Sequence, residues 1–302
     1  MDENLQGWIN LYKPRGLTSF SAIYKIKKKF KFKKIGHAGT LDPDAEGILP
    51  VALNKATKLI PFISSNLKTY NFSIKWGEQT TTDDSIGDLI NSTNHIPSDS
   101  EIKNVLDSFL GIIQQIPPKA SAVKVNGQRA YKIFREKKDF QIQPKRVFLK
   151  SILLQKSNHN ISNFSIQCGK GFYVRSLARD LATKLNTFGH VNSLKRIKVG
   201  NFDEKSSILL DDLLKIGQSE VEFNWISSSI DMLDDILAYN IEDKKDLLNL
   251  SFGKSIVIRK KQLIKSPIDS DKKQIVFLSN KGKIISFGKF IGNLFKPNKV
   301  LL

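Results

Sequence analysis

The 302-residue sequence predicts an α+β fold with a small β-rich module at its C-terminal end. Three observations predict it. "KTYNFSIKWG" (Lys68–Gly77) alternates Tyr70, Phe72, Ile74 and Trp76 with polar residues, the period-two pattern of a half-buried strand. "GLTSFSAIYKIKKKF" (Gly16–Phe30) and "YVRSLARDLATKL" (Tyr173–Leu185) instead repeat apolar residues at helical spacing. Beyond about Tyr239 the chain changes to short apolar runs broken by glycine turns, so a boundary is expected between residues 1–238 and 239–302.

The elements follow in order. "GWINLYKP" is a short strand stopped by Pro14. Gly16–Phe30 has a Thr or Ser N-cap, with Ala22, Ile23, Ile26 and Phe30 on one face and lysines on the other. In "GILPVALNKATKLIPFI", an apolar run with Pro50 and Pro61 as stops, a strand is expected near Ile48–Leu53 and a helix near Asn54–Phe62. "QTTTDDSIGD" (Gln79–Asp88) has turn chemistry. Ser98 and Glu101 match a capping box at the head of a helix expected over Ser98–Ile113. An extended Pro-Pro segment, a strand, an Asn126-Gly127 hairpin turn and a basic helix make up an insertion over 118–146. A strand, a Gly-Lys-Gly break and a helix carrying Leu177, Leu181 and Leu185 follow at Asn163–Leu185. An acidic, helical stretch leads to the C-terminal module, expected to be all β.

Charge narrows the function. The net charge is +19, and it is segregated. Tyr24–Ile35 holds seven lysines and no acid, whereas Asp203–Asp246 holds twelve acids and four bases. A uniform lysine bias would leave no acidic stretch, so one face is expected to meet a polyanion. Cys168 is the only cysteine, which fits a small buried hydrophobe and a reducing cytoplasm. The four histidines lack metal-ligand spacing, and "FGKS" lacks the earlier glycine of a phosphate loop. No apolar run reaches the length of a membrane span, the N-terminus is unlike a signal peptide, and no basic amphipathic terminal helix suggests a membrane binder.

What remains is a carboxylate loop beside the basic run. In "GHAGTLDPDAEGILP" (Gly36–Pro50), an isolated Asp42-Pro43 would read as a helix N-cap, but Gly47 leaves room only for a very short helix. Gly36 and Gly39 permit close approach of a ligand. A carboxylate there is a poor choice for passive polyanion binding and a plausible nucleophile or base acting on a bound nucleotide. Asp44 and Glu46 read as solvated or capping groups.

This loop resembles the catalytic motif of the bacterial tRNA pseudouridine-55 synthase family. Four further blocks match in order: "NLYKPRGLTSF" its Lys-Pro-x-Gly opening, "KTYNFSIKWGEQTTTDDSIGD" its tyrosine strand and acidic loop, "PPKASAVKVNGQRAYKIFR" its basic insertion, and "CGKGFYVRSLARDLATKL" with "LKRIKVGNF" its arginine motif and the segment after it. The likeness spans about Gly7 to Phe202; that of the C-terminal module rests mainly on position and size.

The resemblance implies a pseudouridine synthase fold, a mostly antiparallel mixed sheet with flanking helices and a central RNA-binding cleft, followed by an RNA-binding, PUA-like end domain. It implies isomerisation of uridine 55 in the T loop of tRNA, without cofactor or metal. Asp42 would be the nucleophile, Arg175 its partner across the cleft, and Tyr70 the ring stacked on the target base. His37 would help displace neighbouring nucleotides, Leu194 would pack near the flipped uracil, and Lys13 and Pro14 would support the catalytic loop. Asp84 matches the acid of the family's T-x-D-x-x-G stretch, and Tyr173 joins the substrate-binding set. Thr81 departs from a frequent aspartate, and Ala120 from a common aromatic. The partner would be the T-stem-loop of tRNA, bound by a monomer without guide RNA or membrane; a guide-RNA relative would favour terminal extensions, and little precedes Gly7.

The chemistry agrees. Forming pseudouridine breaks N1–C1′ and makes C5–C1′, so atoms are conserved and no redox cofactor or ATP is needed. The carboxylate must be ionised, and a nearby arginine favours that state. The uridine must leave its stack, at a cost of a few kcal/mol. Attack at C1′, attack at C6 and elimination through a glycal all remain compatible with these residues.

Overall fold

The computed structural model describes residues 5–64, 66–216, 224–267 and 275–302. The chain begins β1 (Gly7–Lys13), α1 (Ser19–Phe30), β2 (Ile35–His37), β3 (Glu46–Leu53), α2 (Ile60–Ser64), β4 (Lys68–Trp76), β5 (Glu78–Thr80) and β6 (Leu89–Ser92). It continues with α3 (Asp99–Leu106), β7 (Gly111–Gln115), β8 (Lys124–Val125), β9 (Gln128–Arg129), α4 (Ala130–Arg135), β10 (Lys145–Asn158) and β11 (Ile161–Cys168). Then come α5 (Val174–Lys184), β12 (Gly189–Val199), β13 (Phe202–Asp203), β14 (Ile208–Leu209), α6 (Leu210–Lys215) and α7 (Ser229–Met232).

The first sheet runs β14-β1-β3-β12-β4-β11-β10-β7, with β2 on β3 and β13 on β12. Only β1 with β14 and β3 with β12 pair parallel, so the sheet is mixed and mostly antiparallel. Alternation along the strands gives it two different faces. Ile9, Leu11, Leu49, Val51, Phe72 and Ile74 pack with residues of α1, α3, α5 and α6. From β1 and β3, Trp8, Ile48 and Ala52 point into a separate core.

That second core joins the C-terminal module. A six-stranded sheet is built from β15 (Leu237–Asn240), β16 (Ile256–Val257), β17 (Leu263–Lys265), β18 (Val276–Asn280), β19 (Lys283–Ile291) and β20 (Leu294–Val300). Its Phe277 and Ile284, with Leu301 just after β20, pack with Trp8, Val199 and Phe202 of the first sheet. Tyr239, where the sequence changes character, lies inside β15. No helix among the described residues is long and apolar enough to cross a membrane.

Three expectations change. The helix capped by Ser98 and Glu101 ends at Leu106 rather than Ile113: Gly111 turns at φ 83°, and the next residues pair with β10. "QTTTDDSIGD" starts within β5, which pairs with β6. The C-terminal module is not all β, because Asp243 caps a helix α8 (Lys244–Ser251). The expected hairpin turn is present: Asn126 and Gly127 both have positive φ between β8 and β9.

Candidate active site

The loop between β2 and β3 carries Asp42. No helix follows it; the Ala45 N–H closes a tight turn onto the Asp42 carbonyl. The turn is fixed from below by Lys13, a fully buried ammonium donating to the carbonyls of Pro14, Leu17 and Pro43 at 2.9, 2.7 and 3.3 Å. The Gly16 N–H also donates to Pro43. Ser19, at the start of α1, exchanges two 2.9 Å hydrogen bonds with the Leu41 backbone. Pro14 contributes backbone rigidity and one carbonyl acceptor. Gly47 has φ 105°, and a Cβ there would collide with the Arg196 backbone, so the loop returns to β3 only through glycine.

Arg175 reaches Asp42 from the first turn of α5. Its Nη2 lies 2.9 Å from Asp42 Oδ2, and its Nη1 lies 3.4 Å from Asp84 Oδ2. The same guanidinium donates to the carbonyls of Thr82 and Ala120 at 3.1 and 3.2 Å. The Arg175 side chain is 5% exposed, whereas that of Asp42 is 38% exposed, so the pair presents a carboxylate from a buried cation. Burial pushes the Asp42 carboxyl above its usual range; Arg175 pulls it down, and the Asp84 charge pushes it up again. One turn along α5, Arg179 pairs with Asp83 at 2.9 Å. Two arginines at i and i+4 thus grip two adjacent acids.

The remaining expected residues fall at different depths. Tyr70 on β4 is only 8% exposed; burial lifts its phenol above the ordinary value, and the Arg196 charge works the other way. His37 ends β2, where burial and the Arg196 charge keep its ring from protonating as readily as usual. Tyr173 occupies the N-cap position of α5, and its backbone exchanges hydrogen bonds with the Gln115 side chain; burial raises its phenol pKa. Leu194 pairs with Phe72 in the sheet and lines a cavity of about 370 Å³ shared with Asp44, Asn71 and Ser193. Asp44 is not simply solvated: Arg15 holds both its oxygens at 2.6 and 2.7 Å, and Ser85 donates at 3.0 Å.

Residues 27–174 match the family model for the TruB family pseudouridylate synthase N-terminal domain, and residues 175–238 match that for the tRNA pseudouridylate synthase B C-terminal domain. The chain belongs to the TruB family of pseudouridylate synthases. Among similar proteins, tRNA pseudouridine synthase B of Wolbachia pipientis is 50% identical over 214 residues, covering 70% of this chain and 60% of the relative. The Sinorhizobium medicae protein of that name is 35% identical over 306 residues, covering 98% and 96%. Among solved structures, a Cbf5-Nop10-Gar1 complex shares the fold at TM-score 0.73 and 23% identity, covering 97% of this chain and 84% of that one.

In this TruB-family chain both sequence departures are accommodated. Thr81 Oγ1 accepts the Asp88 N–H at 3.1 Å, and the two backbones pair at 2.9 Å, so the acidic loop closes without an aspartate there. Ala120 serves Arg175 through its carbonyl, which any side chain would supply. Sequence reasoning missed Arg196, although it lies inside the quoted "LKRIKVGNF". This buried side chain donates to the Ile48 carbonyl at 2.7 Å and the Gly39 carbonyl at 3.0 Å, tying both ends of the Asp42 loop to the sheet, opposite Tyr70 in the strand register. No alternation in the sequence marked it, because its neighbours two positions away are Leu194 and Lys198. Cys168 is a buried thiol, pushed up to about 12 by burial and inert as a nucleophile. Among the described residues, no group of three or more His, Cys, Asp or Glu could hold a metal.

Proposed function

We propose that this protein isomerises uridine 55 in the T loop of tRNA to pseudouridine, with Asp42 as nucleophile and without cofactor, metal or guide RNA. The carrying observation is the half-exposed Asp42 carboxylate held 2.9 Å from buried Arg175. Arg175 favours the ionised, attacking form and fixes its direction. The target uridine is flipped out of its stack to reach it. Tyr70 borders the base, and its hydroxyl is placed to relay the C5 proton, with Arg196 stabilising transient negative charge on the phenol oxygen. His37 helps displace neighbouring nucleotides, Leu194 packs near the flipped uracil, Tyr173 and Asp84 shape the cleft wall, and Lys13 and Pro14 hold the loop.

The segregated positive charge supports a polyanionic substrate, the T-stem-loop. We further propose a catalytic domain over 1–238, with its basic insertion over 118–146, and an RNA-binding module over 239–302, working as a monomer in the cytoplasm. The test is incubation with unmodified tRNA transcript followed by mapping of pseudouridine. Conversion at position 55 by the protein, and not by Asp42→Asn, is the expected result; conversion elsewhere, or none, overturns the reading.

A further inference from the structure

Helix α1 is fastened to the catalytic loop by Ser19, and its next residue faces outward. Phe20 is 69% exposed and Tyr24, one turn on, is 55% exposed. Their rings stack at 6.0 Å between centroids and 19° between planes, so the pair forms one aromatic platform. The opposite side of the helix, Ala22, Ile23, Ile26 and Phe30, is buried, so neither exposed ring is needed for the core. The outward stripe then continues into exposed Lys27, Lys28 and Lys31. Two large rings in water beside a catalytic loop, followed by three cations within about 17 Å of helix, have the composition of a single-strand nucleic-acid platform.

We propose that this outward face of α1 is an RNA-docking surface: Phe20 and Tyr24 stack an unpaired base of the substrate, and Lys27, Lys28 and Lys31 neutralise the phosphates that follow. The inference rests on the RNA substrate proposed above and adds a contact outside the cleft. Charge decides the occupant. An apolar protein partner would leave three lysines to be desolvated, whereas RNA satisfies rings and cations together.

The test measures the Kd for unmodified tRNA transcript, which does not depend on turnover. Phe20→Leu/Tyr24→Leu keeps apolar bulk but loses the π-faces and should weaken binding about tenfold. Phe20→Tyr/Tyr24→Phe should bind as the parent does. Lys27→Gln/Lys28→Gln/Lys31→Gln should reduce the salt slope of log K by about two. Because all five side chains are exposed, these variants should fold, and their melting temperatures check it. An unchanged Kd and salt slope overturn the proposal. So does a change in sedimentation of the leucine variant at unchanged Kd, which would assign the rings to a protein contact. Mapping pseudouridine with the parent protein reports separately on the proposed function.

Discussion

Arg175 holds Asp42 with one nitrogen and faces Asp84 with the other, at 2.9 and 3.4 Å. One buried guanidinium therefore sets the charge of the carboxylate proposed to react and is itself fixed by a second one. This division of roles makes the site separable by mutation.

Asp42→Asn should lower the single-turnover rate by roughly 10⁴-fold or more while changing tRNA affinity less than tenfold, because in the proposed mechanism one carboxylate does the chemistry and many cations do the binding. Turnover near that of the parent, measured at saturating RNA, would remove Asp42 from the nucleophile role.

Arg175→Lys keeps the charge but cannot span Asp42, Asp84 and two carbonyls at once. The maximal rate should fall about 10–100-fold with little change in Kd. Weaker binding at a normal maximal rate would instead make Arg175 a phosphate contact.

The pH profile should have two limbs. Asp42 must be ionised, and its carboxyl sits above the usual 3.8, so activity should be lost on acidification sooner than for an ordinary aspartate. Asp84→Asn removes a charge that raises Asp42, so it should move that limb to lower pH. On the alkaline side, burial lowers Lys13 to about 8. Its three carbonyl bonds require the ammonium, since a neutral amine has only two N–H groups. Activity should therefore fall as pH rises through about 8, and Lys13→Met should lower the rate and abolish that limb. Rate measurements across pH on the three proteins check both signs.

Arg196→Lys should slow catalysis about 10–100-fold through the loop, since an ammonium lacks the rigid planar fork that reaches the Ile48 and Gly39 carbonyls from two separate nitrogens. A positioning role predicts an unchanged Kd. Tyr70→Phe separates the hydroxyl from the ring: binding should hold while turnover stalls.

From sequence, removing the module beyond Tyr239 is expected to weaken RNA binding more than it slows chemistry. The shared core says otherwise, because truncation would expose Trp8, Ile48, Val199 and Phe202. Loss of stability is expected, and Phe277→Ala in the full chain should cost about 3–5 kcal/mol by denaturant titration. Two separate transitions, with only one of them shifted in that variant, would show the two parts to be independent.

The sequence by itself determined the elements whose patterns are local. The alternation of Tyr70 to Trp76, the Ser98–Glu101 capping box and the Asn126-Gly127 turn each depend on residues within a few positions, and each formed. The glycines around Asp42, with the ordered blocks of the resemblance, also singled out the loop and its partners. Only the tertiary structure decided what joins positions far apart. Arg196 has no neighbour in sequence that marks it, yet it crosses to Gly39 and Ile48 because β12 lies parallel beside β3. Gly111–Gln115 became a strand because β10, thirty residues on, offered an edge. The acidity of Asp42 likewise depends on burial and on Asp84 as well as Arg175, a balance set by which groups the fold removes from water.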